Sequence, residues 1–447
     1  MDEQAHSAEG TIVTNLTKHS TLALACAPLR KASMLALFLA TTLVTTKPAQ
    51  TQTFTVLHEF TGGEDGEIPY SGLTLDRAGN VYGTTTYGAD QSCLGGCGTV
   101  FRISRAGAFT TLYRFHGIDG DGPEANVTIA SDGTLYGTTE FGGAQGTGNI
   151  YRLQPSTRAL GNATGTWNET VIHTFGAYND GEGVLPWWGA LIFDRAGNLY
   201  GTASAGGTGS CASGGCGTVF ELSPSNGGWT YNVLYRFTCT TDGATPFSGV
   251  VMDTEGRLYG TTDGNLGCDG GTAYQLAPTG SGWTEITMHQ FQNRDDGGEP
   301  VGGLVVDAAA NAYGVTANGG TSGCGGVVYE LSPRGVGWTF LPIYCLVGPV
   351  AGGSESAMTM DAAGNLYGTT TADGANRRGS VFKLTYNNGS WTYTDLHDFT
   401  GGADGSGPVG TLAVDADGNI YGTSVYGGTG GGCEFGDGCG VAWKITP

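Results

Sequence analysis

From residue 52 onward, short apolar or β-branched runs alternate with glycine-rich polar stretches, and no segment shows the i, i+3, i+4 spacing of an amphipathic helix. The most regular mark is a Tyr-Gly pair beginning at Tyr82, Tyr136, Tyr200, Tyr259, Tyr313, Tyr367 and Tyr421, at spacings of 54, 64, 59, 54, 54 and 54 residues. Around each pair lie four strand-like segments. Segment a ends at an Asp, as in Gly303 to Asp307, and segment b is of the Asn-Leu-Tyr-Gly-Thr-Thr type, as in Asn365 to Thr370. Segment c reads Gly-x-Val-aromatic and ends at Phe101, Tyr151, Phe220, Tyr274, Tyr329, Phe382 and Trp443, with small variations. Segment d reads Leu-His/Tyr-x-Phe, as in Leu57 to Phe60 and Leu234 to Phe237.

Four turn-separated strands per copy make a four-stranded antiparallel sheet, and seven such sheets arranged radially make an all-β, seven-bladed β-propeller. Strands at a propeller axis crowd together, so the innermost must carry small residues. Five residues before each segment-a Asp, or its equivalent, stand Ser71, Ala125, Gly189, Ser248, Gly302, Ser356 and Gly410, which places a innermost and d outermost. The chain enters on a d segment at 53–60 and ends on a c segment at 440–446, so the N-terminal strand is expected to complete the last blade and remove an open sheet edge. The recurrent Asp (Asp76, Asp194, Asp253, Asp307, Asp361, Asp415), followed three residues later by Gly in most copies, reads as a type I turn.

These units resemble the choice-of-anchor tandem repeat GloVer-containing proteins, whose repeat runs approximately D-x-x-G-N-L-Y-G-T-T, then a Gly-rich loop and G-T-V-F. The resemblance spans residues 52 to 447 in all seven copies. It implies an exported bacterial repeat protein and supplies no biochemical activity. The family's C-terminal anchor is not found before Pro447, so release, or retention by partners, is the expectation.

Residues 1–51 share none of this patterning. Arg30 and Lys31 precede an apolar run from Met34 to Val44, too short for a membrane span of ~20 residues and suited to a secretory signal. The expected organisation is a leader at 1–51 and a propeller at 52–447, secreted or held in the periplasm or at the cell surface, without a membrane span in the mature chain.

Composition narrows the partners. The 447 residues include 82 Gly and only 13% charged residues, with 19 Lys or Arg against 40 Asp or Glu and a net charge of −21. Such a chain repels nucleic acids and anionic membranes. Beyond Cys26, ten cysteines remain, an even number that suits disulfides in an exported protein. Three pairs are close in sequence (Cys93 with Cys97, Cys211 with Cys216, Cys433 with Cys439), and Cys239 with Cys268 and Cys324 with Cys345 is the pairing chosen for the rest. Their spacings and separate blades argue against a zinc site, and no cofactor is expected.

No nucleophile elbow, P-loop, metalloprotease or dinucleotide motif occurs. His58, His173, His289 and His397 share a segment-d position with Tyr113, Tyr235 and Tyr344, which suits a structural aromatic role. The tryptophans at 167, 229, 283, 338 and 391 sit in c-to-d hairpins and read as packing residues. Trp187 and Trp188 have no counterpart pair in the other copies and lie in a d-to-a loop that leads to the axis. The residues equivalent to Trp188 include Tyr70, Phe247 and Glu124. The same loops carry Asp65, Asp121, Asp180, Asp242, Asp296 and Asp404, read first as turn residues and, if they face the channel mouth, as an acidic ring. Aromatic faces beside carboxylates suit sugar stacking. The sequence favours a monomeric, non-catalytic binding module for a glycan or other extracellular polymer, through Trp187, Trp188, Tyr70, Phe247, Asp121, Glu124 and Asp180. One alternative is a polysaccharide hydrolase or lyase using loop-face carboxylates; another is a scaffold for extracellular proteins.

Overall fold

The computed structural model describes residues 52–447 apart from 157–166, 212–213, 265–269, 281, 348–352, 431–432 and 434–435. Every regular element among the described residues is a β-strand. The strands form seven four-stranded antiparallel sheets, a seven-bladed propeller. In each blade the order is a, b, c, d, with a reduced to two or three residues, such as Thr74–Leu75 in blade 1 and Leu304–Val306 in blade 5. The first strand, Thr53–Glu59, pairs antiparallel with the last, Val441–Thr446, and supplies the outer strand of blade 7. The ring is thus closed by the two ends of the chain, as the d-first, c-last order requires.

The repeat motif follows from packing. Gly83 faces Phe101 across strands b and c, and a Cβ on Gly83 would come within 2.6 Å of the Phe101 ring. The equivalent aromatics through Trp443 are all fully buried. Each such ring, removed from water, contributes roughly 2–3 kcal/mol. In the six copies that carry the turn Asp, the Tyr beside the Gly reaches back to it: Tyr82 Oη donates to Asp76 at 3.2 Å, and Tyr259 Oη to Asp253 at 2.9 Å. Asp76 also accepts from the backbone of Ala78 and Asn80, both at 2.9 Å, while Gly79 N closes the turn on Asp76 O. Those aspartates are structural caps, as their recurrence implied.

Hairpin tryptophans join neighbouring blades. Trp229 packs edge-on against Tyr136 at 5.9 Å between ring centroids, and Trp391 against Tyr313 at 6.0 Å. At the axis the backbones nearly touch: a Cβ on Gly72 would sit 2.0 Å from Thr411 O of blade 7. This close approach is why the inner positions are small. Four expected disulfides are formed, Cys93–Cys97, Cys211–Cys216, Cys324–Cys345 and Cys433–Cys439. Cys239 is disulfide-bonded, and its expected partner Cys268 lies outside the described residues.

Candidate functional site

Antiparallel order puts the b-to-c and d-to-a loops on one face and the a-to-b turns and c-to-d hairpins on the other. Six of the d-to-a loops reach the axis behind a proline anchor. Pro69, Pro123, Pro186, Pro246, Pro300 and Pro408 lie against Gly440, Gly98, Gly148, Gly217, Gly271 and Gly379 of the preceding blade, so closely that a Cβ on Gly217 would come within 2.4 Å of Pro246 Cδ. Several residues just before these prolines are non-glycine yet left-handed, including Ile68 at φ 57°, Leu185 at 57° and Thr245 at 60°. That conformation costs about 1–2 kcal/mol per residue, and its repetition around the ring marks it as part of the loop architecture.

The residue six positions before each segment-a Asp, or its equivalent, varies around the ring: Tyr70, Glu124, Trp188, Phe247, Val301, Glu355 and Val409. Tyr70, Glu124, Trp188, Val301, Glu355 and Val409 line an axial cavity of about 40 Å³ to which all seven blades contribute. Trp188 stacks with Tyr70 at 6.1 Å and packs against Phe247 at 5.5 Å, and Trp187 meets Phe247 edge-on at 4.8 Å. All four rings are half-buried. Glu124, only 7% exposed, accepts both indole N–H groups on Oε2, from Trp188 at 2.9 Å and from Trp187.

Burial dominates the electrostatics. It pushes the Glu124 carboxyl up to about 7, against the opposing pull of the two indole donors and the Thr86 hydroxyl. Glu140 is also 7% exposed, and burial, followed by repulsion from Glu124 and Asp121, raises it to about 9. Burial raises Asp121, and burial followed by Glu299 raises Glu355. Glu140, shifted so far, is neutral at physiological pH and can donate a hydrogen bond, while Glu124 at about 7 is divided between its two forms there.

The structure brings Tyr70, Trp187, Trp188, Phe247 and Glu124 to one mouth. Asp121 neighbours Glu140 through the backbone bridge between Asp121 and Phe141. Asp180 is elsewhere, beside His173 and Glu182. The acidic ring does not form. Asp65, Asp296 and Asp404 bind His58, His289 and His397 at 3.0, 3.0 and 3.1 Å, and Asp242 accepts from Tyr235 Oη at 3.0 Å. In blade 2 the corresponding residue is Asp119, bound by Tyr113 Oη, so Asp121 occupies a different register. The histidine rings also stack on the next blade, as His58 does on Phe109 at 3.7 Å, in keeping with a structural aromatic role.

Sequence reasoning passed over Glu140. Its equivalents are Thr86, Ser204, Asp263, Ala317, Thr371 and Val425, so two of the seven copies place an acid there, a departure that aligned copies expose. The same face carries exposed apolar side chains in blades 1 to 3 and their joining loops: Leu94, Ile118, Phe141 and Tyr178. Among the described residues, two groups have at least three ligating side chains within reach of one ion, Glu67 with Cys433 and Cys439, and Asp121 with Cys93 and Cys97. In both, the sulfurs are committed to disulfides, so neither offers thiolate ligands.

Comparison with known proteins gives a family and a fold. The family model described as Gloeobacter/Verrucomicrobia repeat matches residues 40–213, 96–325 and 188–438. No curated protein matches in sequence. Among solved structures, PorZ, described as an essential bacterial surface component of the type-IX secretion system of Porphyromonas gingivalis, aligns with a TM-score of 0.52 at 13% identity. The alignment covers 88% of this chain and 48% of PorZ, so the chain spans about half that protein. A gluconolactonase from Xanthomonas campestris aligns at 10% identity over 88% of this chain and 89% of its own, with a TM-score of 0.40. A luciferin-regenerating enzyme aligns at 12% identity over 89% and 95%, with a TM-score of 0.43. At these identities the likeness concerns the fold.

Proposed function

The chain belongs to the Gloeobacter/Verrucomicrobia repeat family, and on that premise we propose that it is a non-catalytic binding module for an extracellular polymer, a glycan above all, held at the loop-face mouth of the propeller axis. One observation carries this reading: four half-buried aromatic rings, Tyr70, Trp187, Trp188 and Phe247, cluster where an inward-facing ring needs only small residues to close the fold. Aromatic faces with fixed carboxylates nearby suit the apolar face and hydroxyls of a sugar. The exposed Leu94, Ile118, Phe141 and Tyr178 extend an apolar surface from the mouth over blades 1 to 3. Disulfides and the net charge of −21 fit a location outside the cytoplasm, secreted or at the cell surface.

A second reading, a polysaccharide hydrolase or lyase, draws support from the two buried carboxyls, Glu124 at about 7 and Glu140 at about 9, a pairing able to supply a proton donor near neutral pH. The test is retention on insoluble polysaccharides together with soluble sugar released, for the natural sequence and Trp188→Ala. Retention without release, weakened by the substitution, is the expected outcome. Release that is lost in Glu124→Gln would instead establish the enzyme, and no retention on any polysaccharide would overturn both readings.

A further inference from the structure

The axial cavity beneath Tyr70 and Trp188 has a composition that the aromatic cluster alone does not require. Two carboxyl side chains, Glu124 from blade 2 and Glu355 from blade 6, line it together with the two rings, Asn126, Ser248 and Ser356. No Lys, Arg or His is among its lining residues. Both carboxyls act on the Tyr70 hydroxyl, raising it alongside burial, so both lie within electrostatic reach of one point at the mouth. Glu124 is nine-tenths buried, and both of its indole donors converge on Oε2. Oε1 receives neither indole, and the Thr86 hydroxyl is the third donor to this carboxyl, so three donors meet a group with about four acceptor positions and capacity for one more remains.

Size and sign together select the ligand group. The space of about 40 Å³ between the carboxyls and the rings suits a small head group, and it shares Asn126, Trp188, Ser248, Gly302, Ala357 and Thr411 with a larger axial cavity of about 350 Å³. An anionic head would meet two carboxylates with no cation to offset them. A hydroxyl would leave those charges uncompensated. A primary ammonium brings three donors and a positive charge, accepts the π-faces of Trp188 and Tyr70, and neutralises the carboxylates it touches.

We propose that this cavity is a primary-ammonium site, and that the polymer held at the loop face carries free amino groups, as a chain of glucosamine-type units does. The inference rests on the polymer-binding reading of that face and names its substrate class. The raised Glu124 carboxyl agrees with it, since a buried acid with no cation beside it is the state such a site has before its ligand arrives.

The experiment is calorimetric titration of the full chain near neutral pH with three probes: a β-1,4-linked glucosamine hexamer, the same hexamer fully N-acetylated, and hexalysine. The glucosamine hexamer should bind at least about tenfold more tightly than its acetylated form, the effect of one desolvated cation–π or charge-assisted contact. Glu355→Gln should erase that preference while leaving the affinity for the acetylated hexamer unchanged, and Glu124→Gln should erase the preference as well; Glu355 is only partly buried, so its variant keeps the test open if Glu124→Gln folds poorly. Equal binding of both hexamers, weakened by Trp188→Ala, would overturn the ammonium site and leave the polymer reading standing. Binding of neither hexamer would overturn both. Hexalysine bound as tightly as the glucosamine hexamer would overturn the assignment to a polysaccharide.

Discussion

Replacing Glu140 by Gln should stabilise the protein at neutral and alkaline pH and flatten its dependence on pH. Burial, with the charges of Glu124 and Asp121, raises this carboxyl from an ordinary 4.5 to about 9. Between those values the folded state holds a proton that the unfolded chain has released, so folding stability falls as pH rises through this window. At pH 7 the window has been crossed by about 2.5 units, which at 1.36 kcal/mol per unit is about 3 kcal/mol. This is a ceiling, because part of the shift comes from a Glu124 charge that itself develops only around pH 7. Glutamine keeps the shape and cannot ionise. Urea denaturation at pH 5, 7 and 9 should show the natural protein losing stability with each step, and Glu140→Gln losing distinctly less. Parallel curves for the two proteins would refute the buried-carboxyl argument, and a variant less stable at pH 9 would reverse it.

Other substitutions test other layers of the structure. Trp188→Ala should cost about 2–4 kcal/mol in chemical denaturation, because it empties the axial plug and removes a donor from a buried carboxyl. His173 is held near 4 by burial, so below its ordinary 6.5 the unfolded chain binds the extra proton and stability falls with acid; His173→Phe should weaken that acid limb in thermal melts from pH 7 to pH 4. Removing residues 52–60 deletes the outer strand of blade 7 and exposes Trp443, and limited proteolysis should then cut within Val441–Thr446 before any other blade. Cys93, Cys97, Cys211, Cys216, Cys324, Cys345, Cys433 and Cys439 should all be unreactive to a thiol reagent in the unreduced, denatured protein, as read by peptide mass.

The fold was legible because seven copies repeat the same physical constraints. Tyr-Gly recurs since the glycine must clear the segment-c ring, as Gly83 clears Phe101, and the tyrosine must reach its turn Asp. Small residues before segment a gave the strand order, since Gly72 and Thr411 allow no Cβ between them. The axial aromatics were legible because Trp187 and Trp188 break the repeat. The acids were harder to place. The spacing of seven from His58 to Asp65, His289 to Asp296 and His397 to Asp404 already encoded those pairings, yet a turn motif alone does not say which strand the carboxylate faces. Blade 2 shortens that spacing to six, from Tyr113 to Asp119, and so displaces Asp121 into a different role. Glu140 escaped because it ends a segment that otherwise matches the repeat, and its burial arises from the loops of blades 1 and 2, which share no sequence pattern with it.

The central claim is that the loop-face mouth of the axis is where this protein meets its ligand. Hydroxyl-radical footprinting of the full chain, free and bound to the polysaccharide that retains it, tests this most directly. Tyr70, Phe141, Trp187 and Trp188 should become protected, while Tyr386 and Trp391 in a hairpin of the opposite face should react as before. Protection confined to Tyr386, Trp391 and the other hairpins, with Trp188 unchanged, would contradict it.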